Sequence, residues 1–175
     1  MKINSTVYDL IKKQINIEFT NHAIYKELSN WCSFQGYNSA AELYSNQAAG
    51  ELVHRDKFIT FLLDAGYETP SLEINSHNTK ADSLEKTIKL SLITEQTTTK
   101  ELLAIKKACE DSGDYVTSSL LNWYLDEQVE EESMFIDLMD ACTNIGLFDA
   151  DSPEWAKKMM RQTIENRIDE SLEDD

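Results

Sequence analysis

The sequence predicts an all-α fold, a four-helix bundle with a short fifth helix, and three observations carry that expectation. The chain has only five Gly and two Pro in 175 residues, too few breaks for many short strands. Four long segments place apolar residues at heptad spacing: Ile11, Glu18, Tyr25, Cys32; Tyr44, Glu51, Phe58, Ala65; Ile88, Glu95, Leu102, Cys109; Thr117, Tyr124, Glu131, Leu138. Between the second and third of them, YETPSLEINSHNTKA at 67–81 shows no helical period and holds Pro70 and two Asn.

The first helix, α1, is expected at 5–33, opened by a cap at Asn4 or Ser5 and closed before Gln35-Gly36. The second, α2, starts at Asn38-Ser39 and spans 38–65, where Gly66 supplies a left-handed stop. The aperiodic 67–81 stretch then makes a long connection. A cap at Asp82 or Ser83 opens α3, 83–111, and Ser112-Gly113-Asp114 turns it into α4, 115–144. Short turns make α1/α2 and α3/α4 antiparallel hairpins, joined by one long crossover between α2 and α3 rather than by a third tight turn. The fifth helix, α5, is expected at 153–168, opened by Ser152-Pro153-Glu154. Its apolar stripe is Trp155, Met159, Met160, Ile164 and Ile168, and a helix this short must pack on the bundle end or on neighbouring subunits. One domain, 1–168, precedes an acidic tail at 169–175.

Each heptad stripe carries one carboxylate near mid-helix: Glu18, Glu51, Glu95 and Glu131. Residues seven apart share a helix face, so four acids enter one core. Buried like charges cost several kcal/mol each unless protonated or neutralised, and a polyvalent cation is the simplest neutraliser. Glu51-Leu-Val-His54 adds an i, i+3 carboxylate and imidazole on α2. A lone Glu-x-x-His is a weak signal, but Glu18, Glu51 and Glu95 lie at matching depth in their helices. One layer would hold Glu18, Glu51, His54, Glu95, Gln128 and Glu131, an oxygen and nitrogen shell without sulfur that suits iron and, less specifically, manganese or zinc. Two adjacent metal sites could share Glu51 as a bridge.

A formal charge of −16, from 32 acids against 16 bases, argues against a nucleic-acid partner, whose affinity comes from Lys and Arg on phosphates. No run approaches eighteen apolar residues and MKINSTVYDL has no signal-peptide core, so no membrane association and a cytosolic location are expected. Cys32, Cys109 and Cys142 are far apart and set among helical residues, which reads as reduced core thiols.

At INIEF, AIY and NWCS in α1, GELVHRDKFITFLLDAG in α2, ITEQ in α3 and LNWYLDEQVEEESMF in α4, the chain resembles the non-haem bacterial ferritins over about residues 5–148. The resemblance implies a ferritin-like bundle and iron as the metal. Glu18, Glu51 and His54 would form a first iron site, and Glu51, Glu95 and Glu131 a second, with Gln128 a neutral partner beside the pair. A second Glu-x-x-His is absent, since α4 has Gln128-Val129-Glu130-Glu131, which points to true ferritins rather than bacterioferritins or rubrerythrin-like oxidases. Leu52 stands where bacterioferritins carry a haem-ligating Met, so no haem is expected.

Tyr25 resembles a site-adjacent ferritin tyrosine that can hydrogen-bond a ligand and donate an electron; a core aromatic with a satisfied hydroxyl is the alternative. Trp123 resembles a nearby ferritin tryptophan, and at helical spacing it reads first as core. Glu127 and Glu130 resemble parts of a third iron site, whose remaining carboxylate would precede Glu51. That position is Gly50, which costs about 1 kcal/mol in a helix and marks either a close helix approach or an altered site. Glu132 reads as a solvated face, and His22 and His77 as ordinary polar residues.

The function implied is iron oxidation and storage. Fe(II) would be oxidised by O2 or peroxide, as in a ferroxidase, and ferric mineral held in a homo-oligomeric shell of twenty-four subunits. Two other readings stand beside it: a soluble di-iron oxidase or peroxidase that stores nothing, and a non-catalytic helical module or DNA-protecting mini-ferritin.

Overall fold

The computed structural model describes residues 2–149 and 154–173, with the side chains of the last segment described over 157–166. Among the described residues five helices follow in order: α1 (Ser5–Phe34), α2 (Asn38–Asp64), α3 (Leu84–Ser112), α4 (Tyr115–Asn144) and α5 (Glu154–Glu173). The Asn4 side chain caps α1 by accepting from the Thr6 N–H at 2.9 Å. Ser83, rather than Asp82, caps α3 by accepting from the Lys86 N–H at 3.3 Å. Turn chemistry stops each hairpin helix where a glycine follows. At Gly66, φ is +80°, the Tyr67 N–H donates to the Leu62 carbonyl and the Gly66 N–H to the Leu63 carbonyl, both at 2.9 Å, which closes the orphan carbonyls of α2.

One helix end lies well beyond its expected place. The α5 helix continues through 169–173, where the sequence predicts an acidic tail; DESLE contains no Gly or Pro, so nothing in it ends the helix. The α2 helix starts at Asn38 with Tyr37 as an N-cap that makes no side-chain cap bond, and the Ser39 hydroxyl donates to Glu165 of α5 at 3.0 Å. The expected opening at Ser152-Pro153, the Trp155 and Ile168 side chains and the last two residues lie outside the described residues. In α5, Met160 and Ile164 are buried against the bundle end, whereas Met159 faces solvent.

The crossover lies along α1 and is pinned at intervals. The Tyr8 hydroxyl donates to the Glu68 carbonyl at 2.9 Å, the Glu73 N–H to Asn16 Oδ1 at 3.0 Å and the Asn75 N–H to Thr20 Oγ1 at 2.9 Å. Further on, His77 lies 3.2 Å from Glu27 Oε1, and Thr79 also donates to Glu27. The connection therefore returns the chain to the end of the bundle where α2 began. There Tyr44 of α2 donates to Thr87 of α3 at 2.9 Å, so α3 runs parallel to α2 and antiparallel to α1.

The apolar core is in two parts. One cluster holds Tyr25, Leu28, Leu43, Tyr44, Ile88, Phe135 and Leu138; the other holds Val7, Ile11, Ile15, Phe58, Leu62, Leu102, Leu121 and Tyr124. All three cysteines are free and buried, and burial pushes the Cys32 thiol up to about 12. Between the clusters the buried residues are polar: Gln14, Glu18, Glu51, His54, Glu95 and Gln128. Among the described residues, no helix is long and apolar enough to cross a membrane.

Candidate metal centre

The polar layer exists because the apolar stripe of each helix is interrupted at one level. Glu18 (0% exposed), Glu51 (2%), His54 (5%) and Glu95 (0%) are as buried as the Ile and Leu above and below them. Ligand atoms of Glu18, Glu51 and His54 all lie within 4.8 Å of one another. Glu18 is held from one side, its Oε1 accepting from Gln14 Nε2 at 2.8 Å, while its Oε2 is buried without a partner. Both carboxylate oxygens of Glu51 are buried and unpartnered. His54 Nδ1 stands 3.8 Å from Glu51 Oε2, and its backbone carbonyl accepts from the Tyr124 hydroxyl at 2.7 Å, which ties the imidazole's turn of α2 to α4.

Glu95 and Glu131 form the opposite side of the layer. Glu95 accepts from the Tyr25 hydroxyl and, at 3.2 Å, from Gln128 Nε2. Gln128 also donates to the Glu95 carbonyl and to Thr99 Oγ1, each at 3.2 Å, so it acts as a brace on Glu95. Glu131 is half-buried as a residue, but its Oε2 is shut from solvent and has no partner. Among the described residues, Glu18, Glu51 and His54 form the one trio that converges within 4.8 Å; Glu51, Glu95 and Glu131 are placed more loosely.

The electrostatics place Glu51 at the centre. Burial pushes its carboxyl well above the usual carboxylate range, and repulsion from Glu95, Glu18 and Glu131 adds to that. Glu131 is raised by burial first, then by Glu95, with smaller repulsion from Glu18 and Glu127. Burial also raises Glu95, against the opposing effect of the Tyr25 and Gln128 hydrogen bonds. The Tyr25 phenol is pushed well up by burial and then by the surrounding carboxylates, so it stays protonated as the donor to Glu95. Five enclosed oxygens in this layer have no hydrogen-bond partner: one on Gln14, one on Glu18, two on Glu51 and one on Glu131. Carboxylates stranded in this way are stable only when protonated or on a cation, and oxygens with one imidazole suit a transition metal such as iron.

Several residues fall outside the tight trio or carry no signal in the sequence reading. Glu127 is half-buried and close enough to raise Glu131, but Glu130 is exposed on the surface of α4. A Cβ built at Gly50 meets nothing within 4 Å, so no helix approaches closely there and the position is open space beside Glu51. Glu132, expected on a solvated face, is half-buried and accepts from Thr99 Oγ1 at 2.5 Å, because the facing turn of α3 presents a hydroxyl to it. His22 lies 2.7 Å from the Ala48 carbonyl, away from the carboxylates. Gln14 is the residue that sequence reasoning misses, and its place one turn before Glu18 on a buried stripe is the signal that could have found it. A cleft of about 580 Å³ lies at the bundle end between the α1–α2 turn and α5, remote from this layer.

A bundle of two hairpins joined by one long crossover, with carboxylates and an imidazole buried at mid-height, defines the class of carboxylate-cored metal-binding bundles. The family model for the ferritin-like domain matches residues 8–145, and the chain belongs to that family. It is similar to a bacterial non-heme ferritin of Staphylococcus saprophyticus, 32% identical over 144 residues that cover 82% of this chain and 86% of that protein. A bacterial non-heme ferritin of Staphylococcus aureus strain USA300 is 30% identical over 144 residues, covering 82% and 87%. Among solved structures, an Archaeoglobus fulgidus ferritin engineered into a closed form and a humanized archaeal ferritin each superpose with a TM-score of 0.84. Each is 21% identical over 93% of this chain and 96% of its own, a likeness of fold.

Proposed function

We propose that this chain is an iron-storage ferritin with ferroxidase activity. The observation that carries the reading is the Glu18, Glu51 and His54 trio, buried at mid-bundle with carboxylate oxygens that no protein donor satisfies. Its relatives' name, non-heme ferritin, supports iron as the ion. Fe(II) enters as substrate. Glu18, Glu51 and His54 hold one ion, and Glu51, Glu95 and Glu131 hold a second, with Glu51 shared and Gln128 bracing Glu95. As the ions bind, raised carboxyls such as Glu51 and Glu131 release their protons. Two Fe(II) each give one electron to O2, which takes up two protons to form peroxide; peroxide in turn takes one electron from each of two further Fe(II), with two protons, to give two waters.

The carboxylates favour Fe(III) over Fe(II), because hard anionic oxygens lower the energy of the higher charge. Tyr25, donating to Glu95, sits where it can hydrogen-bond a bound oxidant or supply an electron. The ferric product would then pass to mineral inside a hollow cytosolic shell of twenty-four copies, with α5 contributing to contacts between them.

The test is anaerobic Fe(II) loading followed by air. Glu51→Ala and His54→Ala should each slow oxidation by more than about 100-fold, since even a residue behind a metal ligand is worth about 10–100-fold, with assembly unchanged on a sizing column. Retained rates would refute ferroxidase activity at this layer. Electron micrographs of iron-loaded protein should show hollow shells with dense centres; a small oligomer without them would refute storage.

A further inference from the structure

Three aromatic groups touch the carboxylate layer: Tyr25 on one side, and on the other Trp123 and Tyr124, the last 6.0 Å from the His54 ring with its hydroxyl on a backbone carbonyl, which is too weak a base to take up the phenolic proton. Tyr25 reaches Glu95 through its hydroxyl and stacks on Tyr44 and Phe135. Trp123 lies edge-on to the His54 ring, with centroids 5.6 Å apart at 78°, and edge-on to Tyr124 at 4.8 Å. Trp123 is only half-buried, so it is not simply core, and its contact with a candidate metal ligand offers a path for electrons.

The same turn of α2 that presents His54 to the edge of this indole presents a cation to its face. Lys57 Nζ stands 3.2 Å from the Trp123 ring centroid. Among the described residues, Lys57 forms no ion pair and no hydrogen bond, so the indole face is the contact its ammonium makes. No group among the described residues accepts the Trp123 indole N–H either. The ground-state indole is attracted to the cation through its quadrupole. Once the ring loses an electron the attraction becomes repulsion between two positive charges at close range, in a partly desolvated place.

Tyr25 is arranged in the opposite sense. Its phenolic proton already points at a carboxylate, so loss of an electron can be accompanied by transfer of that proton to Glu95, leaving a neutral radical.

We propose that Lys57 is a redox-tuning residue, which by sitting on the indole face withholds Trp123 from one-electron oxidation and so keeps it from competing with Tyr25. The assignment of Tyr25 rests on the iron-oxidation reading above; the effect of Lys57 on Trp123 does not. Peroxide, formed when two Fe(II) reduce O2, takes one electron from the phenol of Tyr25 and one from a further Fe(II) and leaves as two waters with two protons from solvent, while the phenolic proton moves to Glu95.

The decisive experiment uses metal-free full-length protein in a background where Trp31 and Trp155 are Phe, leaving Trp123 the sole tryptophan. Flash-generated ruthenium(III) tris-bipyridine takes one electron from the indole, becoming ruthenium(II), and the radical is followed by absorption and electron paramagnetic resonance. Lys57→Met should raise the Trp123 radical yield by about tenfold, the scale of removing a close cation, and lower its measured oxidation potential, while Lys57→Arg should match the unmodified protein. Equal yields and potentials with and without the Lys57→Met change would overturn the proposal, whatever the iron chemistry. In a second arm, Fe(II) and O2 are mixed and frozen rapidly. A tyrosyl signal alone in the unmodified chain, joined by an indole signal in Lys57→Met, supports the donor assignment; an indole signal of equal size in both overturns it. If neither protein oxidises iron, the ferroxidase reading fails while the photo-oxidation result still decides the role of Lys57.

Discussion

Replacing Glu51 by Gln should stabilise the metal-free protein, which is unusual for a change at a fully buried polar residue. Glu51 is 2% exposed, both of its oxygens lack donors, and Glu18, Glu95 and Glu131 press on it from three helices. Leaving a buried charge uncompensated costs about 3–5 kcal/mol, whereas an unsatisfied amide costs about 1–3 kcal/mol. Where the folded carboxylate is ionised, the exchange therefore favours Glu51→Gln by about 2 kcal/mol, or about 4–8 °C in Tm for a chain of this length.

The sign follows from proton linkage. Burial raises the carboxyl in the folded chain above its unfolded value, so the folded state binds more protons between the two. The stability of the metal-free protein therefore falls as pH rises out of the ordinary carboxylate range toward the raised value of the folded groups. As pH falls back toward the ordinary carboxylate range the folded glutamate takes up its proton, and the advantage of Gln should shrink toward zero. Urea unfolding followed by circular dichroism over a pH series measures both. Redox-inert Zn(II) should invert the order, since ligand at 100 times its Kd adds about 2.7 kcal/mol to the form that binds it and little to the variant. A Glu51→Gln protein that gains no stability over the metal-free parent anywhere along the rising pH series would refute the claim that this carboxylate is stranded.

Gly50→Ala should stabilise the chain by about 1 kcal/mol in urea, because the position is helical and an added Cβ meets nothing within 4 Å. Gly50→Glu should create a third bound metal with Glu127 and Glu130, visible by crystallographic metal soaking; a full third site in the unmodified chain would show that those acids and solvent suffice. Phe58→Ala should cost about 3–5 kcal/mol, since Phe58 is fully buried and stacks on Tyr124 at 4.1 Å directly beneath the layer; urea unfolding measures it. Tyr25→Phe should leave iron binding intact but slow oxidation several-fold, as followed by stopped-flow absorbance, because Glu95 loses its phenol donor.

The sequence determined the helices and the layer. Heptad spacing forces Ile11, Glu18, Tyr25 and Cys32 onto one face, and all four are buried, as are Ile88, Glu95, Leu102 and Cys109 on α3. Glycines and caps mark helix ends by local bonding alone, so Gly66 and Ser83 are readable without any neighbour. Equal depth of the acids in antiparallel helices then implies that they meet.

What lay outside the sequence was relative rotation and lateral distance between helices, which arise from packing rather than from period. Only the tertiary structure shows that Glu18, Glu51 and His54 converge more tightly than Glu51, Glu95 and Glu131. The same holds for Gly50, which borders open space rather than a crowded crossing, and for Glu132, which turns toward Thr99. It holds too for the meeting of Lys57 with Trp123, since a lysine and a tryptophan on different helices share no period. A one-dimensional pattern reports which face a residue occupies; which side chain of another helix meets it is decided by interhelix angle and separation, and those are properties of the packed bundle.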